Sequence, residues 1–253
     1  MRRDEILQKQ LPYDPLVPKP LPGIAPLERA DWLRVDEAFA GQMRRREELI
    51  QGARSKVIAM SDGGRAAAEE LLSLVIAAQL EKPGFAREGE RISRPDGVSV
   101  AIDWSDPLAT VGQLAQEDFC LLQKAEGEDE HVLTAAVLCF PASWSLDEKF
   151  MRPLVGIHIP VDSYDENIAK RVQRLFDGVR AERPLWRFNA LWYQDPELHQ
   201  PRRQDARREE REAQDLPYLR SELQTIRRLP ATDAVVFGIH THVLHRSDVI
   251  GGG

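Results

Sequence analysis

Phe119-Cys-Leu-Leu-Gln-Lys-Ala-Glu-Gly-Glu-Asp-Glu-His-Val-Leu-Thr-Ala-Ala-Val-Leu-Cys-Phe140 is a pair of apolar runs separated by an acidic, glycine-containing loop. Runs this short read as strands, and Glu126-Gly-Glu-Asp-Glu130 joins them as a hairpin. Val98-Ser-Val-Ala-Ile102 is a third short run, Trp186-Arg-Phe-Asn-Ala-Leu-Trp-Tyr193 a fourth, and Ala234-Val-Val-Phe-Gly-Ile-His-Thr-His-Val-Leu244 the clearest strand in the chain. Working outward, a helix is expected from Asp31-Trp32 through Arg34 to Ile50, and another from Asp62 to Leu80, which Pro83-Gly84 stops. Ser145-Leu-Asp-Glu148 and Ser163-Tyr-Asp-Glu166 fit the capping box, in which a hydroxyl and a carboxylate satisfy each other's orphan backbone donors. Helices are therefore expected near Leu146 and Tyr164, the second reaching about Val179. Hairpin-like strands with interspersed helices define an α+β class.

The 253 residues allow one large domain or two small ones, and 42% hydrophobic residues suffice for a core. A net charge of −7 argues against an extended nucleic-acid footprint, so no nucleic-acid partner is expected. No run of apolar residues is long enough for a signal peptide or a membrane span, which makes the expected location cytoplasmic, with no membrane partner. Prolines crowd the N-terminal 30 residues, so residues 1–30 are expected to form an extended arm, 31–246 a single domain and 247–253 a frayed, Gly-rich tail. The charge run from Arg202 to Arg211 mixes signs and reads as a solvated helix face or a loop. Cys120 and Cys139 sit in apolar runs without CxxC spacing and read as buried free thiols.

Three stretches hold residues with chemistry to offer. His158 lies among Gly156, Ile157, Ile159 and Val161 with no local polar partner, and Pro160 biases Ile159 toward extended backbone. An imidazole in such a setting is either a satisfied core group or a metal ligand. His240 and His242 fall two apart on a strand and so share a face; with Asp103 or His245 they would complete a two-His, one-carboxylate or a three-His cluster. No third ligand is fixed by spacing, so the pair is expected to be structural or pocket-lining rather than a non-haem metal site. Dinucleotide, P-loop, HExxH and GxSxG signatures are absent.

Several motifs in one order resemble a known family, the haem-dependent oxidative N-demethylase alpha subunits and their relatives. They are Leu11-Pro-Tyr-Asp-Pro15, Glu117-Asp-Phe-Cys-Leu-Leu122, Phe140-Pro-Ala-Ser-Trp144, Ile157-His-Ile-Pro-Val161, Arg187-Phe-Asn189 with Gln194-Asp-Pro-Glu-Leu198, and Leu223-Gln-Thr-Ile-Arg-Arg-Leu-Pro230 leading into Ala234-Val-Val-Phe237. The resemblance implies a PAS-like antiparallel sheet with helical embellishments. It implies a haem b cofactor whose iron takes His158 as axial ligand, with Lys149, Arg152, Arg227 and Arg228 as propionate partners. Trp144 and Trp186 would wall the cofactor, and Asn189 and His240 are the residues assigned to the catalytic pocket.

The implied activity is a monooxygenase reaction: O2 is activated, a methyl group of a small secondary amine such as dimethylamine is oxidised, and formaldehyde leaves. Electrons must then come from a separate reductase or ferredoxin-type donor, because two cysteines cannot build a four-cysteine cluster. The chain departs from the family pattern in two places. Ala190-Leu191 follows Asn189 where a tryptophan is usual, and His240-Thr-His242 replaces Arg-Thr-Tyr. A second reading from another class is a non-catalytic haem or small-ligand sensor on the same PAS-like fold, since fold does not fix function.

Overall fold

The computed structural model describes residues 3–17, 23–158, 166–203 and 216–250, without the side chains of 3, 4, 158 and 166–170. In chain order its strands are β1 (Ala25–Pro26), β2 (Ile58–Met60), β3 (Ala86–Glu88), β4 (Arg91–Ser93), β5 (Ser99–Ala101), β6 (Asp118–Gln123), β7 (Val132–Val137), β8 (Leu185–Tyr193), β9 (Tyr218–Arg228) and β10 (Val235–His245). Its helices are α1 (Phe39–Gly52), α2 (Arg54–Val57), α3 (Arg65–Leu80), α4 (Pro107–Leu114), α5 (Leu146–Lys149), α6 (Leu154–His158), α7 (Glu166–Gly178) and α8 (Arg246–Ile250). Seven strands form an antiparallel sheet in the order β1-β8-β9-β10-β6-β7-β2, and β3, β4 and β5 form a small sheet of their own.

Residues opposite one another on neighbouring strands project to the same side, so the register sorts side chains onto two faces. Leu223 pairs with both Phe188 and His240, and Gly238 pairs with Phe119. That face carries Phe119, Leu121, Val137 and Val236 into a core built by the apolar sides of α1, α3 and α4; it is called the α1 face below. The alternate positions, among them Cys120, Leu122, Ala136, Ile226 and Ile239, meet Leu146, Leu154, Phe176 and Val179 of the α5–α7 region. That side is the α7 face. Close approach of α4 to its neighbours depends on Gly112, where a Cβ would lie 2.8 Å from both Ile50 and Val137.

A buried ion pair ties the layers together. Arg46 of α1 and Asp118 of β6 are both fully inaccessible, with Nη1 2.7 Å from Oδ1. The remaining valences are filled: Asp118 accepts from the backbone N–H groups of Cys139 and Phe140, and Arg46 donates to the carbonyls of Gly112 and Glu117. A desolvated pair is tolerable only when satisfied in this way. Both cysteines are buried free thiols, and burial pushes the Cys139 thiol up to about 12.

Several local expectations change. The first helix begins at Phe39 instead of near Asp31, because Asp36 uses Oδ1 to accept from the Ala38 N–H and turns the chain before the helix can start. Ser145 does not cap backbone donors; its hydroxyl donates to Glu148 Oε2 at 3.0 Å, and α5 is a single turn. The 98–102 run joins the small sheet. β9, a central strand, had no counterpart among the expected strands. The Ser163 cap, the extended backbone around Pro160, the charge run beyond Arg203 and the terminal glycines lie outside the described residues. No described helix is long and apolar enough to cross a membrane.

Candidate functional site

On the α1 face, β10 delivers His240 and His242 into the core beside the turn that precedes α1. His240 is 1% exposed, its Nδ1 lying 2.9 Å from Glu117 Oε1 and its Nε2 3.0 Å from Asp36 Oδ2. Burial alone would lower its pKa; the hydrogen bonds to Asp36 and Glu117 outweigh it and raise the value from 6.5 to about 9. Burial likewise opposes ionisation of Asp36, yet the same bond to His240 holds its carboxyl well below the usual range. Both carboxylates are held in place from behind. Asp36 accepts from Gln116 at 2.8 Å and Gln8 at 2.9 Å, and Glu117 accepts from the Arg34 N–H at 2.7 Å.

His242 is 3% exposed, stands with its ring centroid 4.6 Å from that of His240, and has no hydrogen-bond partner at Nδ1 among the described residues. Burial first, then the charge on His240, pushes its pKa well below the ordinary value. Tyr13 closes the outer side: its ring stacks on Phe188 at 4.3 Å, meets His242 edge-on, and its hydroxyl lies 2.9 Å from Ser221 Oγ. Asp36, His240 and His242 each offer a ligand atom, all within 4.8 Å of one another. The group that stands third beside the pair is therefore Asp36, and neither Asp103 nor His245, the two weighed from the sequence. Asp103 is exposed and bound to Ser105, and His245 projects to the opposite face and meets Ser247.

The α7 face gathers a different set. Asn189 donates to Glu222 Oε2 at 3.2 Å and accepts from the Glu222 N–H, while Gln224 donates to the same Oε2. Arg187 shares this face with its Nε unpartnered and no ion pair among the described residues; burial pushes its pKa down. Lys149 donates to the Ile157 carbonyl at the end of α6, and burial pushes its pKa down as well. The backbone of His158 ends α6, whose Leu154 and Ile157 pack on this same face. Arg228 also lies here, but it donates to the Phe176 and Val179 carbonyls and so closes the C-terminal end of α7.

The expected site residues thus divide. Lys149, Asn189, Arg228 and the backbone of His158 belong to the α7 face, Arg227 and His240 to the α1 face, and Arg152 is exposed. Arg227 lies over the Trp32 ring at 4.4 Å with its Nε unpartnered. Asn189 and His240 do not meet across one pocket, and Trp144 and Trp186 pack in different cores. Asp36, Glu117 and Arg187 were missed. The available signal was charge inside or beside a strongly apolar strand, which is rare unless the charge has a partner.

A large antiparallel sheet with helices on both faces, one face holding a buried imidazole–carboxylate cluster, defines a mixed helix-and-strand protein of the α+β class. Residues 23–250 match the family described as haem-dependent oxidative N-demethylase, alpha subunit-like, and the chain belongs to that family.

Proposed function

We propose that the chain is a haem b oxidoreductase that demethylates a small secondary amine of the dimethylamine type. The observation carrying the reading is the family match over residues 23–250. Bound haem would supply oxygen activation; amine, O2, two electrons and two protons then give the demethylated amine, formaldehyde and water. Both electrons come from a separate reductase or ferredoxin-type donor, because Cys120 and Cys139 are buried and too few to hold a cluster. On this reading the sheet is PAS-like, residues 1–30 are a Pro-rich arm on a single 31–246 domain, and the protein works in the cytoplasm.

His158 is the proposed axial ligand on the α7 face. Side chains on that face fit such a group: Arg187 is a half-buried cation that feels the charge of Glu222 but forms no ion pair among the described residues, and its unpartnered Nε is the kind of donor a propionate requires. Lys149 is the second cation, and Asn189 with Glu222 forms the polar, anionic corner suited to an amine. Haem-loaded protein should show a Soret band that is lost or shifted in His158→Ala; an unchanged spectrum refutes the ligand assignment. Oxygen-dependent formaldehyde release with an artificial reductant supports the enzyme. Stable oxygen binding without product from any methylamine overturns it in favour of a sensor.

A further inference from the structure

We propose that Asp36, His240 and His242 form a second, non-haem site, which takes one divalent transition-metal ion of the zinc class. Two imidazoles and one carboxylate are a donor set such ions accept, and the three ligand atoms already converge within 4.8 Å. Around a tetrahedral ion with bonds of about 2.0–2.1 Å, neighbouring ligand atoms stand about 3.3 Å apart. His240 Nε2 and Asp36 Oδ2, 3.0 Å apart, are within about 0.3 Å of that spacing, and from the 4.8 Å limit the His242 ligand atom has to approach each of them by about 1.5 Å at most.

Three further features point to a ligand. His242 Nδ1 is a buried polar atom with no hydrogen-bond partner among the described residues, a cost an ion would relieve. Glu117 binds His240 at Nδ1, which leaves Nε2 directed at Asp36; this carboxylate–histidine arrangement is the usual outer support of a metal-bound imidazole. The Asp36 carboxylate is oriented by Gln8, Gln116 and the Ala38 N–H, so its lone pairs are aimed before an ion arrives. Bound there, an ion would fasten the segment before α1 to the last strand, on the face opposite the proposed haem.

The test uses the full chain, haem-loaded, stripped with a chelator and equilibrated with zinc alone. One equivalent should bind, with X-ray absorption showing two imidazole nitrogens and a carboxylate oxygen. Affinity should fall at least about 100-fold in His242→Ala and about 10- to 100-fold in Glu117→Gln. Thermal stability of the wild type should rise with zinc, while that of His242→Ala should not. His158→Ala should bind zinc as the wild type does, which separates this site from the haem. Absence of saturable binding, a zinc environment without imidazole, or unchanged affinity in His242→Ala overturns the proposal. If His242→Ala does not fold, His242→Gln replaces it, and the absorption spectrum of the wild type decides without any variant.

Discussion

Arg187→Met should stabilise the haem-free protein while weakening its hold on haem. The Arg187 side chain is half-buried, its Nε has no acceptor, and no carboxylate forms an ion pair with it among the described residues. Leaving one buried donor unsatisfied costs about 1–3 kcal/mol, and partial exposure puts the recoverable part at about 1–2 kcal/mol. Methionine keeps the aliphatic stem and its packing on the α7 face while removing the charge. Melting of the haem-free variant should therefore rise by roughly 2–8 °C, at about 2–4 °C per kcal/mol for a chain of this size. A charge-assisted bond to a propionate is worth about 1.5–3 kcal/mol, so haem affinity from Soret titration should fall about 10- to 100-fold. Opposite signs in the two assays are the signature of a cation kept for a ligand. A variant less stable without haem, or one whose haem affinity stays within twofold, refutes the reasoning.

Asp118→Asn leaves Arg46 charged and uncompensated in a fully inaccessible site, so urea unfolding should show a loss of about 3–5 kcal/mol; a loss below about 1 kcal/mol would contradict the pairing. His131 is buried against Phe176 and bonded to Gln173, and burial holds its pKa below 6.5. The unfolded chain then binds the proton more readily than the fold does, so the stability it contributes is complete above pH 6.5 and is lost as pH falls toward the lowered folded value. Replacing it by glutamine should flatten that part of the stability profile, and an unchanged slope between neutral and mildly acid pH in the variant would show that another group is responsible.

Strands bounded by turn residues were legible: 118–123, 132–137, 185–193 and 235–245 follow from apolar runs. β9 was not, because it has no apolar alternation to read. Ser221, Thr225 and Arg227 occupy one face, and Arg220, Glu222, Gln224 and Arg228 the other. Its polar groups find partners that lie far away in sequence: Arg220 binds the Leu198 and Phe140 carbonyls, and Arg228 binds the end of α7. The histidine pair was legible as a pair for the opposite reason, since a period of two is local. Its carboxylate was not: Asp36 and His240 are 204 positions apart, and nothing near either residue encodes their approach.

Much of the chemistry turns on β9, the least strand-like sequence in the sheet. Its odd positions face His240 and Phe188, and its even positions face Asn189 and Arg187. A slip of one residue would move Glu222 from the Asn189 side into the apolar core around Phe119, and carry Leu223 out of it. Arg220 and Arg228 resist that slip from the two ends of the strand, each tied to carbonyls of a different segment. Such bonds stabilise little in net, but breaking them leaves buried carbonyls and guanidinium donors unpaired, which penalises the wrong register more than it favours the right one. Polar residues in β9 therefore specify which face each group of side chains occupies, and that separation is what would allow the proposed haem site and the proposed histidine–carboxylate metal site to share one sheet.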